Sequence, residues 1–131
     1  MFTQIKTSKE NKIVVTELSR KLNLGAENII ARIALAYSIS KNQRLSISNI
    51  KDSQGKEYSK SVLFGNNYPF YLALICTHYN LYKSDKDIPK YIKMHIDDGL
   101  EIINNELTEN PNLNGFEYLM DKIDEGLNEI C

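Results

Sequence analysis

Two histidines, two cysteines and one run of carboxylates are the side chains in this sequence with the most chemistry to offer. His78 and His95 fall on apolar helical segments, so imidazole pairing or metal binding is geometrically conceivable if those segments pack together. A zinc site needs three or four converging ligands. Cys76 cannot join His78, because residues two apart on a helix do not share a face, and no spacing completes a ligand set. Both histidines are therefore assigned structural roles. The stretch HIDDGLE gathers Asp97, Asp98 and Glu101, a grouping that could bind Mg²⁺ or do acid–base work. These acids border an apolar stripe rather than lie within it, and the expectation is a solvated helix face. His95 and Gly99, four apart, belong to the inner side, where glycine permits close helix approach. No phosphate-binding glycine loop, GxGxxG or Ser/His/Asp pattern occurs. No catalytic residue, metal or cofactor is assigned, and the chain is not expected to be an enzyme.

The remaining chemistry is charge. The formal net charge of -1 conceals an asymmetry: residues 1–60 hold 11 Lys/Arg against 5 Asp/Glu, and residues 61–131 hold 5 against 12. Such polarity suits a basic face for nucleic acid with an acidic face for protein partners, or two ends that attract each other in an oligomer.

The elements that would position these residues are mostly helical. In FTQIKT, Phe2, Gln4 and Lys6 alternate with Thr3, Ile5 and Thr7, the period of a strand. TSKE follows as a capping box, Thr7 with Glu10, and Ile13, Val14, Leu18 and Leu22 recur at helical spacing through residue 22. Gly25 breaks the pattern. A second helix resumes with Ile30, Ile33, Ala34 and Tyr37. Residues 41–65 read as a loop and a weak hairpin turning at DSQG. Pro69 opens a helix so apolar (FYLALICTHYNLY) that it is expected at the centre of the core. A long helix carries Ile88, Ile92, His95, Ile96, Gly99, Leu100, Ile103 and Leu107. Pro111 and Gly115 end it, and a last amphipathic helix is expected to turn Phe116, Leu119, Met120, Ile123 and Leu127 inward. The fold class is thus mainly α: a short N-terminal strand and helix pair like a ribbon-helix-helix unit, a weak central hairpin, and three further helices.

A chain of 131 residues with 42% apolar and 25% charged residues suits a single globular domain, 1–131. No apolar run approaches a membrane span, and polar residues interrupt the start where a signal-peptide core would lie. The expected location is the cytoplasm, with Cys76 and Cys131 reduced.

Three segments, DSQGKEYSKSVLFG, YLALICTHYN and YIKMHIDDGLEII, together with the N-terminal helix pair, resemble the DndE family, small proteins of the bacterial DNA sulfur modification (phosphorothioation) system. The resemblance implies a helical oligomer, a tetramer or dimer, that binds double-stranded DNA, preferring nicked duplex, through surface lysines. It also implies work beside other sulfur-modification proteins, which supply the sulfur and ATPase chemistry. The family's lysines do not map residue by residue onto this sequence. Charge and expected exposure instead give the DNA-binding candidates: Lys6, Lys9, Lys12, Arg20, Lys21, Lys41, Arg44, Lys56 and Lys60. Two other readings fit the pattern: a ribbon-helix-helix regulator whose Gln4 and Lys6 read an operator, and a helical adaptor without DNA binding.

Overall fold

The computed structural model describes residues 2–130; Cys131, expected to be reduced, lies outside them. The fold is mainly α. Its elements are β1 (Gln4–Lys6), α1 (Lys9–Leu22), α2 (Glu27–Ser40), β2 (Glu57–Ser59), α3 (Lys60–Phe64), α4 (Tyr68–Tyr79), α5 (Ile88–Glu109) and α6 (Gly115–Ile130), with short 3₁₀ turns at Ile47–Asn49 and Gly65–Asn67.

Helix α5 is the axis of the molecule. Between Met94 and Leu100 every residue is buried except Asp98, which is half-buried, so this helix is enclosed on all sides. The broadest packing is against α2, where Ile30, Ala31, Ala34 and Leu35 meet Ile92, Ile96, Leu100 and Ile103 in one core. Gly99 makes that approach possible: a Cβ there would stand 1.9 Å from the Ala34 carbonyl oxygen. Each Leu or Ile side chain buried in this core contributes about 1.5–3 kcal/mol relative to exposure.

The expected alternation in β1 holds, with Ile5 buried between exposed Gln4 and Lys6. Its partner is not the second β1 that a ribbon-helix-helix unit would supply. β1 pairs antiparallel with β2 of the same chain, Ile5 opposite Tyr58 and Lys6 opposite Glu57, and there is no hairpin about DSQG. Strands this short become stable only where a core covers one face, and Ile5 and Tyr58 supply that face here.

The N-cap moves by one residue, and the reciprocal Glu10 contact of a capping box gives way to Asp97, which accepts from the N-cap N–H. Ser8, not Thr7, caps α1, its side chain accepting from the Asn11 N–H. Thr7 is buried and donates through both N–H and Oγ1 to the Lys56 carbonyl. Beside it, Gly55 donates to the Thr7 carbonyl with no room for a Cβ, which would lie 2.0 Å from the Ser8 carbonyl oxygen. The inner face of α1 rotates accordingly: Asn11, Val15, Leu18 and Leu22 are buried, and Ile13 faces out.

Two further expectations are overturned. Helix α4 is peripheral rather than central, with Ile75 its one fully buried residue and Phe70 exposed. Its uniform apolarity reflects one side packed on α5 and α3 and another left open. In α6 the stripe of Phe116, Met120, Ile123 and Leu127 points outward, with Leu119 half-buried, while Tyr118 is the side chain that enters the core.

Candidate nucleic-acid interface

The acids expected on a solvated face are structural. Asp97 is buried and accepts four hydrogen bonds from three donors: the Ser8 N–H (3.1 Å) and Asn11 Nδ2 (2.8 Å) at Oδ1, Lys93 Nζ (2.8 Å) at Oδ2, and Asn11 Nδ2 again at its carbonyl (3.3 Å). Lys93, also buried, donates in addition to the Asp52 carbonyl at 2.7 Å. The carboxylate thus sits at the start of α1, where the helix dipole favours negative charge, and locks α1 and the 50s loop onto α5. Asp98 accepts from Ser38 at 2.6 Å, and Glu101 is ion-paired with Lys51.

His95 lies between Ser38 and Tyr79, whose hydroxyls are 2.8 Å from Nδ1 and 2.6 Å from Nε2. Proton counting sets the direction. Ser38 has one hydroxyl proton and gives it to Asp98, so Nδ1–H must donate to Ser38 Oγ, leaving Nε2 to accept from Tyr79. Tyr79 in turn accepts from the Leu45 N–H. Burial, reinforced by the neighbouring charge of His78 and opposed by Asp98, pushes the imidazole down to about 4, matching this neutral tautomer. Ser38, His95 and Asp98 therefore do meet, as no sequence pattern indicated. The serine bridges the other two and is itself 1% exposed, so the set joins α2 to α5, and Tyr79 on His95 ties in α4. His78 packs edge-on against His95 at 5.3 Å and places Nε2 2.6 Å from the Gln43 carbonyl. Among the described residues no three His, Cys, Asp or Glu side chains converge to hold a metal.

The cations divide into free and committed sets. Lys6, Lys9, Lys12, Arg20 and Lys21 are exposed and form no ion pair among the described residues. Because Lys9, Lys12, Thr16 and Arg20 follow helical spacing opposite the buried Val15 and Leu22, they form one outward stripe of α1; Lys21 flanks it beside Glu17. Lys6 lines a cleft at the margin of β1 with Gln4, Pro89 and Lys90. The adjoining cleft, bounded by Phe2, Tyr68 and the same Pro89, adds Lys83 and Lys86. Lys60 lies over the Tyr68 ring at 4.0 Å and the Phe2 ring at 5.4 Å.

Three candidates are engaged with the chain itself. Lys41 stands 3.9 Å from Glu106 and over the Tyr37 ring. Lys56 pairs with Glu27 at 3.1 Å; burial alone would raise Glu27, but Thr16 and Lys56 hold it below the usual carboxylate range. Arg44 Nε donates to the His78 carbonyl. Conversely, Lys83, Lys86 and Lys90 were not among the candidates, because Asp85 and Asp87 alternate with them in sequence and make the segment look neutral. Lys83 and Lys86 lie in a loop and gave no periodic signal, and only the return of α5, which carries Lys90, beside β1 brings them near Lys6.

The fold and this surface define a small helical protein whose free cations gather on one strand margin, one helix stripe and the loop before α5. The family model for the DNA sulphur modification protein DndE matches residues 4–110, and the chain belongs to the DndE family. The crystal structure of DndE from Escherichia coli B7A, involved in DNA phosphorothioation modification, has a similar fold. It superposes with a TM-score of 0.64 at 18% identity, over 79% of this chain and 98% of that one. A DndE mutant involved in DNA phosphorothioation gives 0.65 at 21%, over 78% and 97%. No curated protein sequence matches significantly. Helix α6 lies beyond the residues that the family model matches. No helix among the described residues is long and apolar enough to cross a membrane.

Proposed function

We propose that this chain is a cytoplasmic DNA-binding accessory protein of DNA sulfur modification, holding duplex DNA, intact or nicked, by its phosphates. It acts as a homo-oligomer beside the proteins that carry out the sulfur chemistry and contributes no bond-making step of its own. The observation that carries this reading is the unpaired cation set: Lys9, Lys12 and Arg20 in one stripe, with Lys6 at the strand margin, where the neighbouring Lys90 is paired with Asp87 at 3.5 Å. Cations spaced along a helix face and a cleft edge suit a charged backbone, whereas base reading needs a rigid element inserted in a groove.

The regulator alternative is disfavoured by β1, whose ladder partner is β2 of its own chain, not a second β1. The test is binding of intact and nicked duplex across a salt series. Counterion release makes log K fall linearly with log salt, by about 0.9 for each phosphate neutralised. A Lys9→Glu, Lys12→Glu, Arg20→Glu variant is expected to lose affinity and flatten that slope by roughly 2–3. Failure to bind either duplex at low salt would overturn the proposal and favour the adaptor.

A further inference from the structure

The outward stripe of α6 has a regular grammar. Phe116, Met120, Ile123 and Leu127 are spaced four, three, four, the a/d alternation of a coiled-coil seam, and are 72%, 42%, 55% and 50% exposed. The helix is held to its own chain by a different side: Tyr118 is buried with its hydroxyl donating to Glu106 at 2.8 Å, and Gly115 abuts the Lys21 carbonyl. The seam is thus turned well away from the surface that anchors the helix.

Charge identifies what would cover it. Glu117 and Asp124 border the seam on one side, with Asp121, Glu125 and Glu129 elsewhere around the helix. The one basic residue of α6, Lys122, is drawn off by Glu106 (3.4 Å) and Glu125 (3.3 Å). A second copy of α6 would set Glu117 and Asp124 against their own counterparts if antiparallel and leave them without a cation if parallel, since Leu119 and Gly126 hold the other flank; neither arrangement satisfies the acidic flank. We infer that α6 is a docking helix for a partner protein's basic amphipathic helix, which seats apolar a/d residues on Phe116, Met120, Ile123 and Leu127 and places Lys or Arg against Glu117 and Asp124. The seam itself carries no cation and lies outside the segment matched by the family model, so docking is tested without DNA.

The probe is a pair of synthetic heptad peptides with identical apolar a/d residues, one bearing Lys and the other Glu at the flanking e and g positions. Each is titrated against the full chain by fluorescence anisotropy without DNA. The lysine peptide is expected to bind at least ~10-fold more tightly than the glutamate peptide, and less tightly in high salt. Ile123→Asp is expected to weaken it by ~10-fold or more, since a charge would be buried in the seam. Phe70→Asp, on the open face of α4, is expected to leave it unchanged, and circular dichroism checks that both variants fold. Equal binding of the two peptides, no binding of either, or indifference to Ile123→Asp would overturn the inference. So would sedimentation showing that Ile123→Asp dissociates the chain's own oligomer, which would make a second copy the occupant.

Discussion

Asp97→Asn isolates the role of charge in the buried network, because the new side chain keeps the shape and one carbonyl acceptor. Lys93, 5% exposed, would keep only the Asp52 carbonyl, and the introduced amide would turn an N–H or a weaker acceptor toward its ammonium. Breaking a buried ion pair by neutralising one partner costs about 3–5 kcal/mol; the surviving acceptors put this site near ~3 kcal/mol. That is a large share of the roughly 5–15 kcal/mol that stabilises a domain. With a urea m-value of about 1.5 kcal/mol/M, the midpoint should fall by ~2 M. Adding Lys93→Met removes the stranded cation and should recover more than half of the loss. A drop below ~1 kcal/mol, in the range of exposed pairs, would refute the reasoning and return Asp97 to the solvated face that its sequence neighbours suggested.

Three other outcomes follow from the same contacts. Gly99→Ala forces α2 and α5 apart at the Ala34 carbonyl and should cost about 3 kcal/mol or more, read as a lowered denaturation midpoint; a neutral result would mean that the helices are not in contact there. His95 should hold the neutral Nδ1–H tautomer in imidazole ¹⁵N spectra down to about pH 5, and a titration near its ordinary 6.5 would contradict the hydrogen-bond chain. Its folded value is depressed to about 4, so the unfolded chain binds the proton first as pH falls. Its contribution is therefore complete above pH 6.5 and should decline by up to ~3 kcal/mol between 6.5 and 4. Glu106, which burial would raise but which Tyr37, Tyr118 and Lys122 hold below the usual range, adds stability above its unfolded value that is lost as pH falls through its folded one; Glu106→Gln should lower acid sensitivity as measured by pH-dependent unfolding.

What could be read in the sequence was periodicity, and what could not was the identity of the covering surface. The strand alternation about Ile5, the helix pair broken at Gly25 and the close approach at Gly99 all emerged, because each depends on a local rule that neighbouring residues suffice to state. The stripe of α6 was equally plain, yet it faces out: spacing reveals an apolar side without telling whether this chain or another covers it. Helix α4 misled in the same manner. Ser8 and Thr7 exchanged roles because Lys56 and Asp97, both far along the chain, compete for them. Asp97 itself shows how a buried carboxylate escapes notice, since its partners Ser8, Asn11 and Lys93 come from two elements. Of the candidate cations, Lys6, Lys9, Lys12, Arg20 and Lys21 are free to meet a ligand, whereas Lys41, Arg44 and Lys56 are tied to chain groups that sequence distance concealed.

The central claim is that the free cations hold DNA by its phosphates, and the salt dependence of duplex binding tests it most directly. The account predicts binding to intact and nicked duplex at low salt, a linear loss of log affinity with log salt, and a slope flattened by roughly 2–3 in the Lys9, Lys12, Arg20 charge-reversal variant. Affinity that is indifferent to salt, or a slope that the variant leaves unchanged, would contradict it.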